Sequence, residues 1–208
     1  MKPQHLNHTR TTKGRKFHPE TLTKDEVMRL LDANNAGASG IRNKVLLIVL
    51  WRCGLRVSEV LGLRYSDYNA TDATLRVIGK GNRMRVVGVD QATKMNLDLW
   101  MVKRKELGIN GVGNPPIFCG ISKNNFAKPI QTVYIRNLLK RLAAKAGIEK
   151  RVNPHCFRHS FAHDLLNDGV GIGQISIALG HNNISTTSVY LQRLNPKETI
   201  DALKARAW

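Results

Sequence analysis

A chain of 208 residues is long enough for one domain with its own core, burying roughly 70% of its unfolded surface without a disulfide or metal. Its 33 Lys and Arg against 15 Asp and Glu leave a formal charge of +18. Such an excess calls for a polyanionic partner, because cations that neutralise phosphates release condensed counterions. A membrane partner is not expected: the longest apolar run, Val45 to Trp51, cannot span a bilayer, and no basic amphipathic helix of the interfacial kind is present.

Residues 1–19 carry Lys2, Arg10, Lys13, Arg15 and Lys16, no acid and no apolar period. They predict a flexible basic tail, either a solubilising end or an arm along DNA phosphates. A single domain is expected over 20–208. Thr23-Lys24-Asp25-Glu26 is a capping box that opens a helix burying Val27, Leu30 and Leu31. After Gly37–Gly40, residues Ile41 to Arg52 predict an apolar central helix closed by Gly54, and Arg56 to Leu63 a short one. The runs 74–79 and 84–89 are β-rich, with Lys80-Gly81-Asn82-Arg83 as a hairpin signal between them.

Helices are predicted over 91–107 and 131–146, separated by a Gly-, Pro- and Asn-rich loop. Asn153-Pro154 caps a helix that carries His155 and Arg158 and ends at Gly169. Gly173 to Leu179 form another, with Gly180 past its end. Asn195-Pro196-Lys197-Glu198 caps a last helix to about Ala207, with Ile200 and Leu203 on one stripe. The fold class is mainly α with a small antiparallel β-sheet (α+β). Cys53, Cys119 and Cys156 form no C-x-x-C pair and read as reduced thiols, and no secretory leader follows Met1, so a cytoplasmic protein is expected.

His155 and Arg158 stand three apart, so a helix places them on one face, where they can hold the non-bridging oxygens of a phosphate. An ordinary helix with a buried His and a surface Arg would give the same spacing. Arg56 falls at a chain reversal, with Glu59 three residues on to orient its guanidinium; a surface ion pair is the plain alternative. Lys80, at a hairpin tip, can reach a groove as a general acid or simply remain solvated, with Arg83 and Arg85 beside it as phosphate contacts. Tyr190 is a nucleophile only where cations favour its phenolate, and otherwise packs on the last helix. His155, His159 and His163 recur every four residues, but no carboxylate completes an H-E-x-x-H, so no metal is expected. There is no nucleophile elbow, P-loop or dinucleotide fingerprint.

Four blocks in order carry a family resemblance: Gly54-Leu55-Arg56-Val57-Ser58-Glu59 through Arg64, Val77-Ile78-Gly79-Lys80-Gly81-Asn82-Arg83, Pro154-His155-Cys156-Phe157-Arg158-His159-Ser160-Phe161-Ala162, and Leu179-Gly180-His181 through Tyr190. The chain resembles the catalytic domain of the tyrosine recombinases, or phage integrases, from about Leu22 to Lys204. The resemblance implies that Tyr190 attacks a scissile phosphate, forming a 3′-phosphotyrosyl link and freeing a 5′-hydroxyl. It implies that Arg56 and Arg158 clamp the non-bridging oxygens, that His155 and His181 complete that shell, and that Lys80 protonates the leaving oxygen. No cofactor, metal or ATP is implied. The partners implied are double-stranded recombination sites, with a tetramer on DNA and a monomer when free, in the nucleoid-bearing cytoplasm.

Arg64, Arg83, Arg85, Lys13, Arg15 and Lys16 are the candidate DNA-backbone contacts. The departure is at the front, where larger members carry a further helical DNA-binding domain; here about twenty residues precede the catalytic blocks. That suits either a minimal, invertase-type member or a fragment of a longer integrase, and the Met1 start favours the first. The alternatives are an accessory DNA-binding relative without chemistry, and a type IB topoisomerase-like enzyme that nicks and reseals one site.

Overall fold

The computed structural model describes residues 21–180. Within them lie seven α-helices and one three-stranded antiparallel sheet, the mainly helical α+β class expected. Helix α1 (Lys24–Asp32) starts at the capping box: the Thr23 hydroxyl accepts from the Glu26 amide at 3.2 Å, and the Glu26 carboxylate accepts from the Thr23 amide at 2.7 Å. It buries Val27, Leu30 and Leu31.

Helix α2 (Ala38–Arg52) is buried without a break from Val45 to Leu50 and touches α1. A helix that is apolar all round belongs at the centre, and α2 is that element. Gly54 ends it at φ +59°; a Cβ there would stand 2.2 Å from the Phe161 ring. Glycine is therefore required twice over, for the left-handed backbone and for room. Helix α3 (Val57–Gly62) follows at once and packs on α2.

The sheet runs in the order β1 (Tyr68–Asn69), β2 (Thr74–Ile78), β3 (Met84–Gly88), all antiparallel. β1 was not expected, since two residues are too few to show an alternating pattern. In β2, Leu75 and Val77 face the core while Arg76 and Ile78 face out. Val77 lies opposite Arg85, and Ile78 opposite Met84. The connection is longer than a two-residue hairpin turn: Lys80–Asn82 form a 3₁₀ turn in which Gly81 and Asn82 are left-handed, at φ 73° and 58°.

Helix α4 (Gln91–Glu106) lies against α2, and α5 (Thr132–Lys145) against α1 and α3. Helix α6 (Pro154–Asn167) begins at the expected cap, where the Asn153 side chain accepts from the His155 amide at 2.9 Å. It crosses α2 and carries α7 (Ile172–Leu179), which ends in left-handed Gly180 at φ +64°. Ala162, Ile175 and Leu179 form a small apolar cluster between α6 and α7, separate from the main core. The front of the described chain is tied to α6 by Ser160, whose hydroxyl accepts from the Leu22 amide at 2.7 Å and donates to the Leu22 carbonyl at 2.9 Å. No helix among the described residues is long and apolar enough to cross a membrane.

Candidate active site

The turn between α2 and α3, the inner face of β3 and the first turn of α6 meet at one place. Arg56 is the N-cap of α3, and Glu59 folds back on it: the carboxylate accepts from the Arg56 amide at 2.9 Å and from its Nη1 at 2.9 Å. The three-residue spacing seen in the sequence thus becomes the carboxylate half of a capping box: Glu59 closes on the cap amide, while arginine has no acceptor to offer the Glu59 amide in return. Arg85 reaches the same carboxylate from β3, its Nη1 donating to Oε1 at 3.0 Å and its Nη2 to Oε2 at 2.9 Å. Glu59 is 5% exposed. Burial alone would raise its pKa, but the hydrogen bonds from Arg85 and from the Arg56 backbone outweigh it and hold the carboxyl below its ordinary range.

Arg158 enters from α6. Its Nη1 donates to the Gly54 carbonyl at 2.7 Å and its Nη2 to the Leu179 carbonyl at 2.6 Å, so it joins α6 to the α2–α3 turn and to the end of α7. Burial first, and Arg56 second, push its pKa down to about 9, while Glu59 pulls it back up; at neutral pH it is a cation. His155 sits one turn earlier. Desolvation lowers its pKa, and Arg158 and Arg56 lower it further, so the imidazole is neutral at pH 7. Burials are the reverse of the ordinary-helix alternative: Arg158 is buried and His155 exposed. His159 lies behind, its ring 6.4 Å from that of His155, its pKa pushed down to about 4 by burial, His155 and Arg158.

Lys80 stands at the hairpin tip at the start of the 3₁₀ turn, with its side chain outside the description. Arg83 closes the tip, its carbonyl accepting from the Gly79 amide at 2.8 Å and its side chain exposed. Arg64 is exposed after α3, its amide donating to Asp67 at 2.8 Å. Arg85, read from sequence as a phosphate contact, faces inward onto Glu59. Strand alternation held that signal, because Arg85 pairs with inward Val77 across the hairpin. Lys13, Arg15, Lys16, His181, Tyr190 and the helix expected over 195–207 lie outside the described residues, as does the proposed tail; α7 and Gly180 end immediately before His181.

Beside His155 opens a groove of about 940 Å³ lined by Arg136, Lys140, Lys150, Arg151 and Asn153. None of these cations belongs to the four ordered blocks, although Arg136 and Lys140 stand at helical i, i+4 spacing on α5. Three guanidinium groups around one carboxylate leave the centre with two positive charges in excess. Such a centre, next to a neutral imidazole, can hold a phosphodiester and stabilise charge that develops on it. Among the described residues, no three His, Cys, Asp or Glu side chains gather as a metal would require.

A family model described as the phage integrase family matches residues 20–196. A curated relative, the tyrosine recombinase XerD of Halalkalibacterium halodurans, is 32% identical over 184 residues, which are 88% of this chain and 60% of that protein. A crystal structure of XerA recombinase superposes with a TM-score of 0.74 at 28% identity, covering 95% of this chain and 68% of that one. A structure of the XerH site-specific recombinase bound to palindromic difH substrate, a post-cleavage complex, shares the fold at a TM-score of 0.73 and 22% identity, covering 94% of this chain and 55% of that one. The chain spans about three fifths of the length of the curated relatives it matches.

Proposed function

The chain belongs to the phage integrase family, and on that premise we propose that it is a site-specific DNA recombinase that cuts and rejoins strands through a 3′-phosphotyrosyl intermediate. The observation that carries the reading is the centre built on Glu59, where Arg56 and Arg158 converge beside a neutral His155 just before the segment that holds Tyr190. Arg56 and Arg158 hold the non-bridging oxygens of the scissile phosphate and offset the charge of the pentacoordinate transition state. The Tyr190 oxygen forms a bond to phosphorus as the bond to the 5′ oxygen breaks. His155 and His181 complete the shell around the phosphate, neutral His155 also assisting transfer of the phenolic proton, and Lys80 supplies a proton to the departing 5′ oxygen. Attack by a 5′-hydroxyl of another strand reverses these steps and reseals the backbone. The phosphotyrosyl bond conserves the energy of the original linkage, so the cycle is balanced without ATP.

The DNA lies across Arg64, Arg83 and the groove lined by Arg136, Lys140 and Arg151, and residues 1–19 contribute Lys13, Arg15 and Lys16 as a basic arm on a catalytic domain over 20–208. The assembly on two sites is a tetramer, the free protein a monomer, and the place of action the nucleoid. A nicked suicide duplex tests the reading: a covalent protein–DNA band that survives denaturation is expected with the unmodified chain and absent in Tyr190→Phe, with binding nearly unchanged. A band that persists in Tyr190→Phe rejects Tyr190 as the nucleophile.

A further inference from the structure

Arg85 sits where three parts of the centre touch. It forks onto both oxygens of Glu59, the carboxylate that also holds Arg56. Gly79, at the root of the hairpin, leaves room for it: a Cβ there would stand 3.3 Å from both Arg85 Nη1 and Glu59 Oε1. Gly180 closes the other side, where a Cβ would meet Arg85 Cζ at 2.9 Å, Nη1 at 3.0 Å and Nε at 3.1 Å. The Arg85 Nε is buried with no hydrogen-bond partner. The guanidinium is therefore walled by the carboxylate, the hairpin and the last residue before His181, with little surface left for a phosphate.

Helix α7 packs on α6 through a small cluster of its own rather than through the main core. Its C-terminal end is held by Arg158, through the Leu179 carbonyl, and by the packing of Arg85 on Gly180. Both cations stand where the helix dipole favours positive charge. One carboxylate thus serves as the common reference for Arg56, for the hairpin that carries Lys80, and for the C-terminal end of α7.

Resting on the recombinase reading above, we propose that Arg85 is a positioning residue that locks the Glu59–Arg56 pair and seats Gly180, aligning the hairpin and Arg56 with the C-terminal end of α7 without touching DNA. A rigid link of this kind acts on rate rather than on affinity, because small displacements of reacting groups cost orders of magnitude.

The test uses the full chain, the nicked duplex, and Arg85→Gln and Arg85→Lys. Single-turnover adduct formation should fall by about 100-fold in Arg85→Gln and recover in part in Arg85→Lys, as for other groups that align a reacting centre. Affinity for the duplex and its salt dependence should not change, whereas loss of a phosphate contact would lower the slope of log K against log salt by about 0.9. Without the fork, the Glu59 carboxyl rises, so the acid limb of the pH–rate profile moves to higher pH.

Gly180→Ala gives a second route that leaves the Glu59 fork chemically intact. It should slow adduct formation more with Arg85 present than in the Arg85→Gln background, the backbone strain of alanine being common to both. A lowered salt slope, an unmoved acid limb, or additive effects of the two substitutions would each overturn the proposal. If the unmodified chain itself forms no adduct, the recombinase reading fails and this inference falls with it; an adduct that Arg85→Gln leaves at full rate removes the inference alone.

Discussion

Arg158 uses two N–H groups on the carbonyls of Gly54 and Leu179, so its side chain is a structural clip as well as a cation facing the centre. Lysine cannot bridge two acceptors in that fork, and Arg158→Lys should lower stability by about 1–3 kcal/mol, read by urea denaturation. Arg158→Ala should slow cleavage by ~10²–10³ beyond its effect on DNA affinity; equal losses in both would make it a phosphate anchor only. His159 carries a pH prediction. Its pKa is held near 4 by burial, His155 and Arg158, against an ordinary 6.5. Between those values the unfolded chain binds the extra proton, so stability falls as pH drops through that window, by up to about 3 kcal/mol. Urea midpoints at pH 7 and pH 4.5 check this, and His159→Gln should flatten the difference. At this level the sequence reading of Glu59 as the partner of Arg56 matches the geometry, because three residues on a helix are one turn. The inward turn of half-buried Arg85, and the burial of Arg42 with its donors to the Cys119 carbonyl and the Tyr134 hydroxyl, depend on partners distant in the chain.

Among the elements, the starts and stops were legible because they are local chemistry: a capping box at Thr23, Asn153-Pro154 before α6, and glycines at 54 and 180. The two-residue β1 was not, since it has no repeating pattern to read, whereas Lys80-Gly81-Asn82-Arg83 marked the connection between β2 and β3. Gly54→Ala should cost at least about 2 kcal/mol, from a left-handed backbone and a Cβ driven into Phe161, and trimming Phe161 to Leu should restore part of it. Calorimetric melts of the two single variants and the double one measure the coupling. Helix α4 gives a contrast within three residues: Leu97 is fully buried and Leu99 is 55% exposed. Leu97→Ala should cost about 2–5 kcal/mol in chemical denaturation and Leu99→Ala within about 1 kcal/mol.

For the whole molecule, a charge of +18 should make the proposed DNA affinity strongly salt-dependent. Removing residues 1–19 deletes Lys2, Arg10, Lys13, Arg15 and Lys16 and should lower the slope of log K against log salt by up to about 4.5, at about 0.9 per phosphate contact. An unchanged slope in a fluorescence titration would leave the arm idle. By itself, the sequence determined the family, the helical class and the order of the seven helices among the described residues, because composition, caps and hydrophobic period act over a few residues and survive any packing. It also determined which residues to nominate for chemistry, from four ordered blocks. The tertiary structure alone decided which cations face outward and which hold one another in place: Arg85 turned in to Glu59, Arg158 between two carbonyls, and a basic groove beside His155. Orientation of a side chain is a property of the partners that surround it, and those partners come from segments more than a hundred residues away.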